Sequence, residues 1–335
     1  MKREELLEKW KEPVKVLDAG FVQVVDVMGD DDAVVSGARI SYGSTAEEHT
    51  PEQNRALIRY MTRHAHGSPF EFPVVRFRVR LPMDVQRQFV RHRMASLNEY
   101  STRYMEAIDG TARTEPDEWR LQATTNKQGS AGLLTEWPES PVGEFADDEA
   151  YPNWPPVGTF ATLADPEPDD SNDEAFKDIG EEPPGFYLSV REKQFHDDAR
   201  ALYTERLAFG VAREQARKDL PLSTYTDCVY QFNYRSLQNF LKLRTDRHAQ
   251  QEIRAYAEVL ERFVADWLPV CHEAWLSYSK NAHTFSAQEM DALRKIVAVA
   301  RGAIPWFADR VLDEAGLSKR ERDEFRAALA IEDAS

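Results

Sequence analysis

Cysteine is nearly absent from this chain of 335 residues: Cys228 and Cys271 are the only two, too few for a disulfide framework. That scarcity points to a reducing compartment, the cytoplasm. No run approaches the ~18 apolar residues of a membrane span, and the opening MKREELLEKW puts charges where a secretory leader needs its apolar stretch. Membrane proteins are therefore excluded. Positive charge is also in deficit, with 42 Lys+Arg against 58 Asp+Glu and a net charge of −16. This opposes a whole-molecule attraction to nucleic-acid phosphates or anionic lipid. What remains is ordinary for a globular protein, 42% hydrophobic and 30% charged. At ~150 residues per domain, the length fits about two domains or one large one with insertions.

The acidic excess is local. Between Glu139 and Glu182 there are 14 Asp/Glu against the single Lys177, a net of −13, and half of the 18 prolines fall between Pro138 and Pro184. A polar, Pro-rich, single-signed segment buries too little apolar area to offset its ordering entropy. Residues 138–184 are thus expected to form an extended or disordered surface insertion, either a solvated excursion or a partner-binding arm.

Before the insertion, FVQVVDVMG at 21–29 has the character of a strand closed by a Gly-Asp turn, and a second element surrounds Ala38–Tyr42. Thr50-Pro51-Glu52-Gln53 spells a capping box with Pro at the first helical position, which predicts a helix over 51–65. From Pro73, Val75, Phe77, Val79 and Leu81 alternate with Arg76, Arg78 and Arg80, the pattern of a strand with one buried and one basic face. Pro82 opens a helix that ends near Arg91-His92-Arg93, and the polar MASLNEYSTRY that follows is expected to be a loop. Cationic side chains feeding a hydroxyl- and amide-rich loop suit a phosphorylated, hydrogen-bonding small molecule. A solvated Arg-rich helix end is the alternative.

After the insertion, a helix is predicted from Ser189 to about Phe209, with Phe195, Ala199, Leu202 and Tyr203 inward and Gly210 closing it. A short helical stretch at Ala212–Asp219 precedes a strand in STYTDCVYQFNY, which leads into a helix through RSLQNFLKLR. Beyond Asp246, a long helix carries Ile253, Tyr256, Ala257, Leu260, Phe263, Val264 and Trp267 as core. Cys271 is expected near the end of that helix, as a buried thiol. Ser286 with Glu289 and Ser318 with Glu321 form further capping boxes, with Gly302 closing the first of these helices.

Arg91-His92-Arg93 followed by seven residues and Ser101 resembles the RHR-x7-S signature of the flavin-dependent thymidylate synthases. VLDAGFVQVVDVMG, ARISY, HAHGSPFE, QFVRHRMASLNEYSTRY, EWRLQ-x5-KQGS, LPLSTYT and NYRSLQNFLKLRTDRHAQQEIR resemble further segments of that family, in its order. The resemblance covers roughly 16–137 and 186–280. With the elements above, it implies a mixed α+β (α/β) fold, an antiparallel-rich sheet flanked by helices. The implied organisation is a catalytic domain from 1–137 and 185–284, the acidic insertion 138–184, and a helical C-terminal extension 285–335.

The resemblance also implies bound FAD, NADPH as reductant, 5,10-methylenetetrahydrofolate as one-carbon donor, dUMP as substrate, and a homotetramer with shared active sites. Carried over by motif, Ser68, Arg91, His92, Arg93, Glu99, Asn233, Tyr234, Arg235 and Asn239 would hold the flavin, with His66 and Glu71 beside them. Gln88, Arg91, Glu99, Tyr100, Ser101, Thr102, Arg103 and Arg217 would hold the nucleotide. Arg244 would face the uracil ring and favour its ionisation at N3, as a nearby cation does. Ser101 lacks an obvious activating base and is assigned to binding rather than nucleophilic attack.

Three rival readings compete with this one. Leu268-Pro269-Val270-Cys271-His272 resembles the Pro-Cys-His nucleophile segment of the flavin-free thymidylate synthases, but Val270 interrupts it. His64-x-His66 with His92 suggests a metal, yet residues two apart on a helix do not face each other, and the chain has neither a His-x3-His pair nor a cysteine pair. No metal is expected. The basic 76–93 surface suggests nucleic-acid binding, which the pI near 5.0 opposes.

Overall fold

The computed structural model describes residues 2–108, 110–124, 129–136, 183–303, 311, 314–315 and 317–329. The expected insertion at 138–184 lies outside the described residues except for Pro183 and Pro184. The chain divides into two compact units, Met1–Tyr278 and Ser279–Ser335.

The first unit is built on a five-stranded antiparallel sheet. Its strands are β1 (Val14–Val16), β2 (Gly20–Met28), β3 (Val74–Pro82), β4 (Ser96–Glu99) and β7 (Tyr225–Asn233), in the order β1-β2-β3-β7-β4. Strands β5 (Arg120–Gln122) and β6 (Ser130–Leu133) form a separate hairpin. The alternation read at 75–81 is realised: Val75, Phe77, Val79 and Leu81 are all fully buried. Opposite them, β7 pairs in register from Val74↔Asn233 to Pro82↔Tyr225.

The helices of this unit are α1 (Arg3–Lys9), α2 (Asp31–Arg39), α3 (Pro51–Arg63), α4 (Met83–Phe89), α5 (Pro184–Ala208), α6 (Arg213–Ala216), α7 (Tyr234–Arg244), α8 (Gln251–Trp267) and α9 (Pro269–Trp275). α8 lays its whole predicted stripe, Ile253 to Trp267, into the core. There the Phe263 ring meets Phe77 edge-on at 5.3 Å, and Phe89 of α4 meets Phe240 of α7 at 4.6 Å. Truncating a ring so enclosed costs about 3–5 kcal/mol.

The other face of the sheet is basic but neutralised in part. Asp227 accepts from Arg78 at 2.7 Å and from Arg80 at 2.9 and 3.2 Å. Burial alone would raise the Asp227 carboxyl; the bonds from Arg80 and Arg78 outweigh it and hold it below its usual range. This face is therefore a poorer polyanion surface than its sequence suggested.

Several expectations need correction. The polar stretch after Arg93 is not all loop: Ser96–Glu99 pairs with Gln231–Cys228 as an edge strand. Residues around 38–42 are the end of α2 and a 3₁₀ turn, Ile40–Tyr42. α5 begins five residues early, at Pro184, and buries His196 and Tyr203 while Phe195 and Leu202 face out. His196, Tyr203 and the partly buried Leu207 form its inner stripe, and Phe195 and Leu202 each sit one residue, about 100°, off it. Cys271 lies not on α8 but on α9, after a break at Leu268.

In the second unit, the helices Ala287–Ala303 and Lys319–Ala328 gather Met290, Leu293, Val297 and Leu317 around Leu329. Both predicted capping boxes are formed. Gly302 does not close the first helix, which runs one residue past it.

Candidate active site

α4 is the spine of the site. Gln86 and Gln88, two residues apart, point to different sides of it, and each meets a different cluster. Gln86 Nε2 donates to Glu99 Oε2 at 3.4 Å, and Thr226 Oγ1 donates to Glu99 Oε1 at 2.9 Å. On the other side, Gln88 Oε1 and its backbone carbonyl accept from Arg244 Nη1 and Nη2, each at 3.4 Å.

The Glu99 side opens into a cleft of about 540 Å³ lined by Glu99, Tyr100, Ser101, Thr102 and Arg217 together with Leu222, Thr224, Tyr225 and Thr226. Its walls are β4 with the segment after it, and the stretch from α6 to β7. Tyr100 N donates to Asp227 O at 2.8 Å, which ties the segment to the sheet. Arg217 Nη1 donates to Thr102 Oγ1 at 2.5 Å, and Arg103 reaches Glu214 at 3.5 Å.

On the Gln88 side, Arg244, the last residue of α7, donates from Nε to His92 Nε2 at 3.1 Å. To accept, that nitrogen must be unprotonated, so the His92 ring is neutral with its proton on Nδ1. Burial first, and the Arg244 cation second, push the His92 pKa down to about 4. Arg244 has no carboxylate partner among the described residues, and burial lowers its own pKa.

A third group lies between α3 and α7. Asn233 caps α7, accepting from Ser236 N at 2.8 Å. Arg235 lies flat over Gly67, where an added Cβ would come within 2.0 Å of its Nη1. That contact sets Arg235 against the turn that carries Ser68 and Glu71. α3 ends in a Schellman motif: Ala65 N bonds Thr62 O at 3.2 Å, and His66 N bonds Met61 O at 2.9 Å. Ala65 is left-handed there, with φ 56°, where Gly is usual. The turn brings the His64 and His66 rings against Tyr60, at 4.5 and 5.6 Å.

Arg91, Arg93, Arg235, Asn239, Ser68, Glu71 and His66 are exposed. Tyr234 is instead fully buried, its ring beside Phe70 and Trp267 and its N–H on Pro73 O at 2.8 Å, so it presents nothing to a bound ligand. Gln86, Thr226 and Gln250 were missed from the sequence. Thr226 lies in LPLSTYT and Gln250 in RHAQQEIR, both singled out as segments, but nothing local marks which residue of each faces the site.

Cys271 is fully buried. Its thiol is held well above its usual range by burial and by the neighbouring Asp31, which accepts from Val270 N at 3.0 Å and Cys271 N at 2.9 Å. Asp31 serves there as a cap of α9, which accounts for the local order around the thiol without a catalytic role.

The family model for thymidylate synthase complementing protein matches residues 23–270. Flavin-dependent thymidylate synthase of Ruegeria pomeroyi is 34% identical over 315 residues, covering 94% of this chain and 87% of that one. Its counterpart in Rickettsia bellii is 32% identical over 323 residues, covering 95% and 94%. Among solved structures, the UMP/dUMP methylase PolB of Streptomyces cacaoi, bound with 5-Br UMP, superposes with a TM-score of 0.57 at 29% identity, over 80% of this chain and 98% of that one. The same methylase bound with 5-Br dUMP superposes equally well, at 30% identity. On the family match and these relatives, the chain belongs to the flavin-dependent thymidylate synthase family.

Proposed function

We propose that this protein methylates dUMP to dTMP with bound FAD, drawing the carbon from 5,10-methylenetetrahydrofolate and reducing power from NADPH, as a cytoplasmic homotetramer. The observation that carries the reading is Arg244, a half-buried guanidinium whose protein partners are neutral, the His92 ring and Gln88. A cation with no anion of its own stabilises negative charge on a ring placed against it. Beside uracil, Arg244 favours ionisation at N3 and makes C5 nucleophilic.

The remaining residues bind and orient. Arg217, Arg103 and the Ser101–Thr102 hydroxyls in the 540 Å³ cleft suit a nucleotide monophosphate, whose charge of about −2 needs guanidinium and N–H donors rather than a metal. Arg91, Arg93 and Arg235 are exposed cations with no carboxylate partner among the described residues, and they suit the diphosphate of FAD. Ser68, Asn233, Asn239, His66 and Glu71 extend that surface around Gly67, while the buried Tyr234 only packs beneath it. Glu99 lines the cleft, and His92 and Gln88 hold Arg244. When bound, FAD supplies the hydride to the pyrimidine, so the buried Cys271 is not needed as a nucleophile. The thiol-dependent and nucleic-acid readings are not favoured.

Visible absorption of the purified protein tests the cofactor assignment. A flavin band that bleaches on anaerobic addition of NADPH is expected, and its absence after incubation with FAD would contradict the reading. Sedimentation equilibrium should give about four times the 38.4 kDa chain mass.

A further inference from the structure

The two walls of the nucleotide cleft share an apolar cluster separate from the main core. Ala107 from one wall and Ala216 from the other are buried with Tyr203 of α5, and Leu207, Val211 and Leu220 pack around them. Polar bonds from the same helix repeat the pattern. Tyr203 Oη accepts from Ala107 N at 2.9 Å, and Arg200 donates to the Ala107 and Ile108 carbonyls at 3.4 and 2.5 Å. Arg206 reaches the opposite wall, so α5 braces both sides.

Arg206 bears directly on Arg217. α5 closes at Gly210, whose left-handed φ of 76° turns the chain back, with Val211 N on Arg206 O at 3.0 Å. The returning segment, α6 and the 3₁₀ turn Arg217–Asp219, meets the Arg206 side chain. Its Nη1 donates to Ala216 O at 3.3 Å and pairs with the Asp219 carboxylate at 2.6 Å. One nitrogen thus holds the turn on either side of Arg217. We propose that Arg206 is a positioning residue, which aims Arg217 at the nucleotide phosphate and keeps the Asp219 carboxylate engaged.

This rests on the functional reading above, which gives Arg217 the phosphate. The charges give the arrangement its logic. Asp219 is two residues from Arg217 and half exposed; once released, it either pairs with Arg217 or repels the phosphate. Paired with Arg206 it does neither, and the Arg217 guanidinium meets only the neutral Thr102 hydroxyl, at 2.5 Å. A four-residue helix and a single 3₁₀ turn have few hydrogen bonds of their own. Without the brace the turn regains conformational freedom, and the guanidinium fork no longer points one way.

The test is calorimetric titration of the full-length, flavin-loaded protein with dUMP and, separately, with deoxyuridine, which lacks the phosphate. Arg206→Met keeps the apolar stem and removes both bonds. Its Kd for dUMP should rise about tenfold, the scale of one charge-assisted hydrogen bond. Flavin content should be unchanged, and the Kd for deoxyuridine should stay within about twofold, because no phosphate is there to be held. In turnover the loss should fall on KM, with kcat within about twofold of wild type. Arg206→Lys, whose ammonium offers three donors to the same two acceptors, should bind dUMP within about threefold of wild type. Should the Met variant fail to fold, Arg206→Gln keeps a neutral donor for Ala216 O while releasing Asp219, and should weaken dUMP alone by about threefold.

Unchanged dUMP binding in the Met or Gln variant would overturn the proposal, as would a Lys variant as damaged as the Met one. Equal weakening of dUMP and deoxyuridine would overturn it too, since it marks a general loosening of the cleft. A wild-type protein that binds dUMP no more tightly than deoxyuridine contradicts instead the assignment of Arg217 to the phosphate, and the proposal falls with it.

Discussion

Arg244 differs from Arg80, Arg120 and Arg206, also partly buried, in what it touches. Arg80 is neutralised by Asp227, Arg120 by Glu252 and Arg206 by Asp219, whereas Arg244 meets a neutral imidazole and an amide. Removing it should therefore remove chemistry rather than an ion pair. Arg244→Ala is expected to lower kcat by about 10²–10³, the scale of losing one charge-stabilising donor, with flavin content and melting temperature near wild type. An equal loss of flavin would assign Arg244 to the cofactor instead.

His92 makes a second prediction at this scale. Its folded pKa of about 4 lies below the ordinary 6.5, so as pH falls the unfolded chain takes up this proton first. Its contribution to stability is complete above about 6.5 and is lost as pH drops from there through 4. Urea midpoints measured between pH 7 and 4.5 should thus fall more steeply for wild type than for His92→Asn. Parallel curves would contradict the neutral, buried ring.

At the scale of the element, what was legible in the sequence was what neighbours in the chain decide. The Thr50 capping box forms as read: the hydroxyl accepts from Gln53 N at 3.3 Å, and Gln53 Oε1 accepts from Thr50 N at 3.0 Å. Thr50→Ala should cost about 1 kcal/mol in chemical denaturation; no loss would mean that tertiary contacts alone hold α3. The β3 strand was equally plain, because one buried face imposes a period of two. β4 was not, since Ser96–Glu99 owes its extended form to β7, about 130 residues further along the chain. On α5, apolar residues lie all around the helix, so spacing could not choose between Phe195 and His196 for the inner face.

At the scale of the molecule, the sheet gathers the candidate residues scattered over 66–103 and 217–250 at the two ends of the β3–β7 pair. The β3–β7 register places the start of α4, which follows Pro82, beside Tyr225 and the end of the Arg217 segment. It places Asn233, the cap of α7, opposite Val74 and the Ser68–Glu71 turn that precedes it. The candidate site residues came from the family motif. Their partners, Gln86, Thr226 and Gln250, were not legible, because a hydrogen bond between segments this distant leaves no local pattern.

Conversion of dUMP to dTMP by the flavin-loaded protein, with Cys271→Ala assayed beside wild type, tests the account most directly. It predicts reductant-dependent dTMP from both, with rates within about twofold, because the fully buried thiol takes no part. No dTMP from either, or dTMP from wild type alone with the variant folded and flavin-loaded, would contradict it.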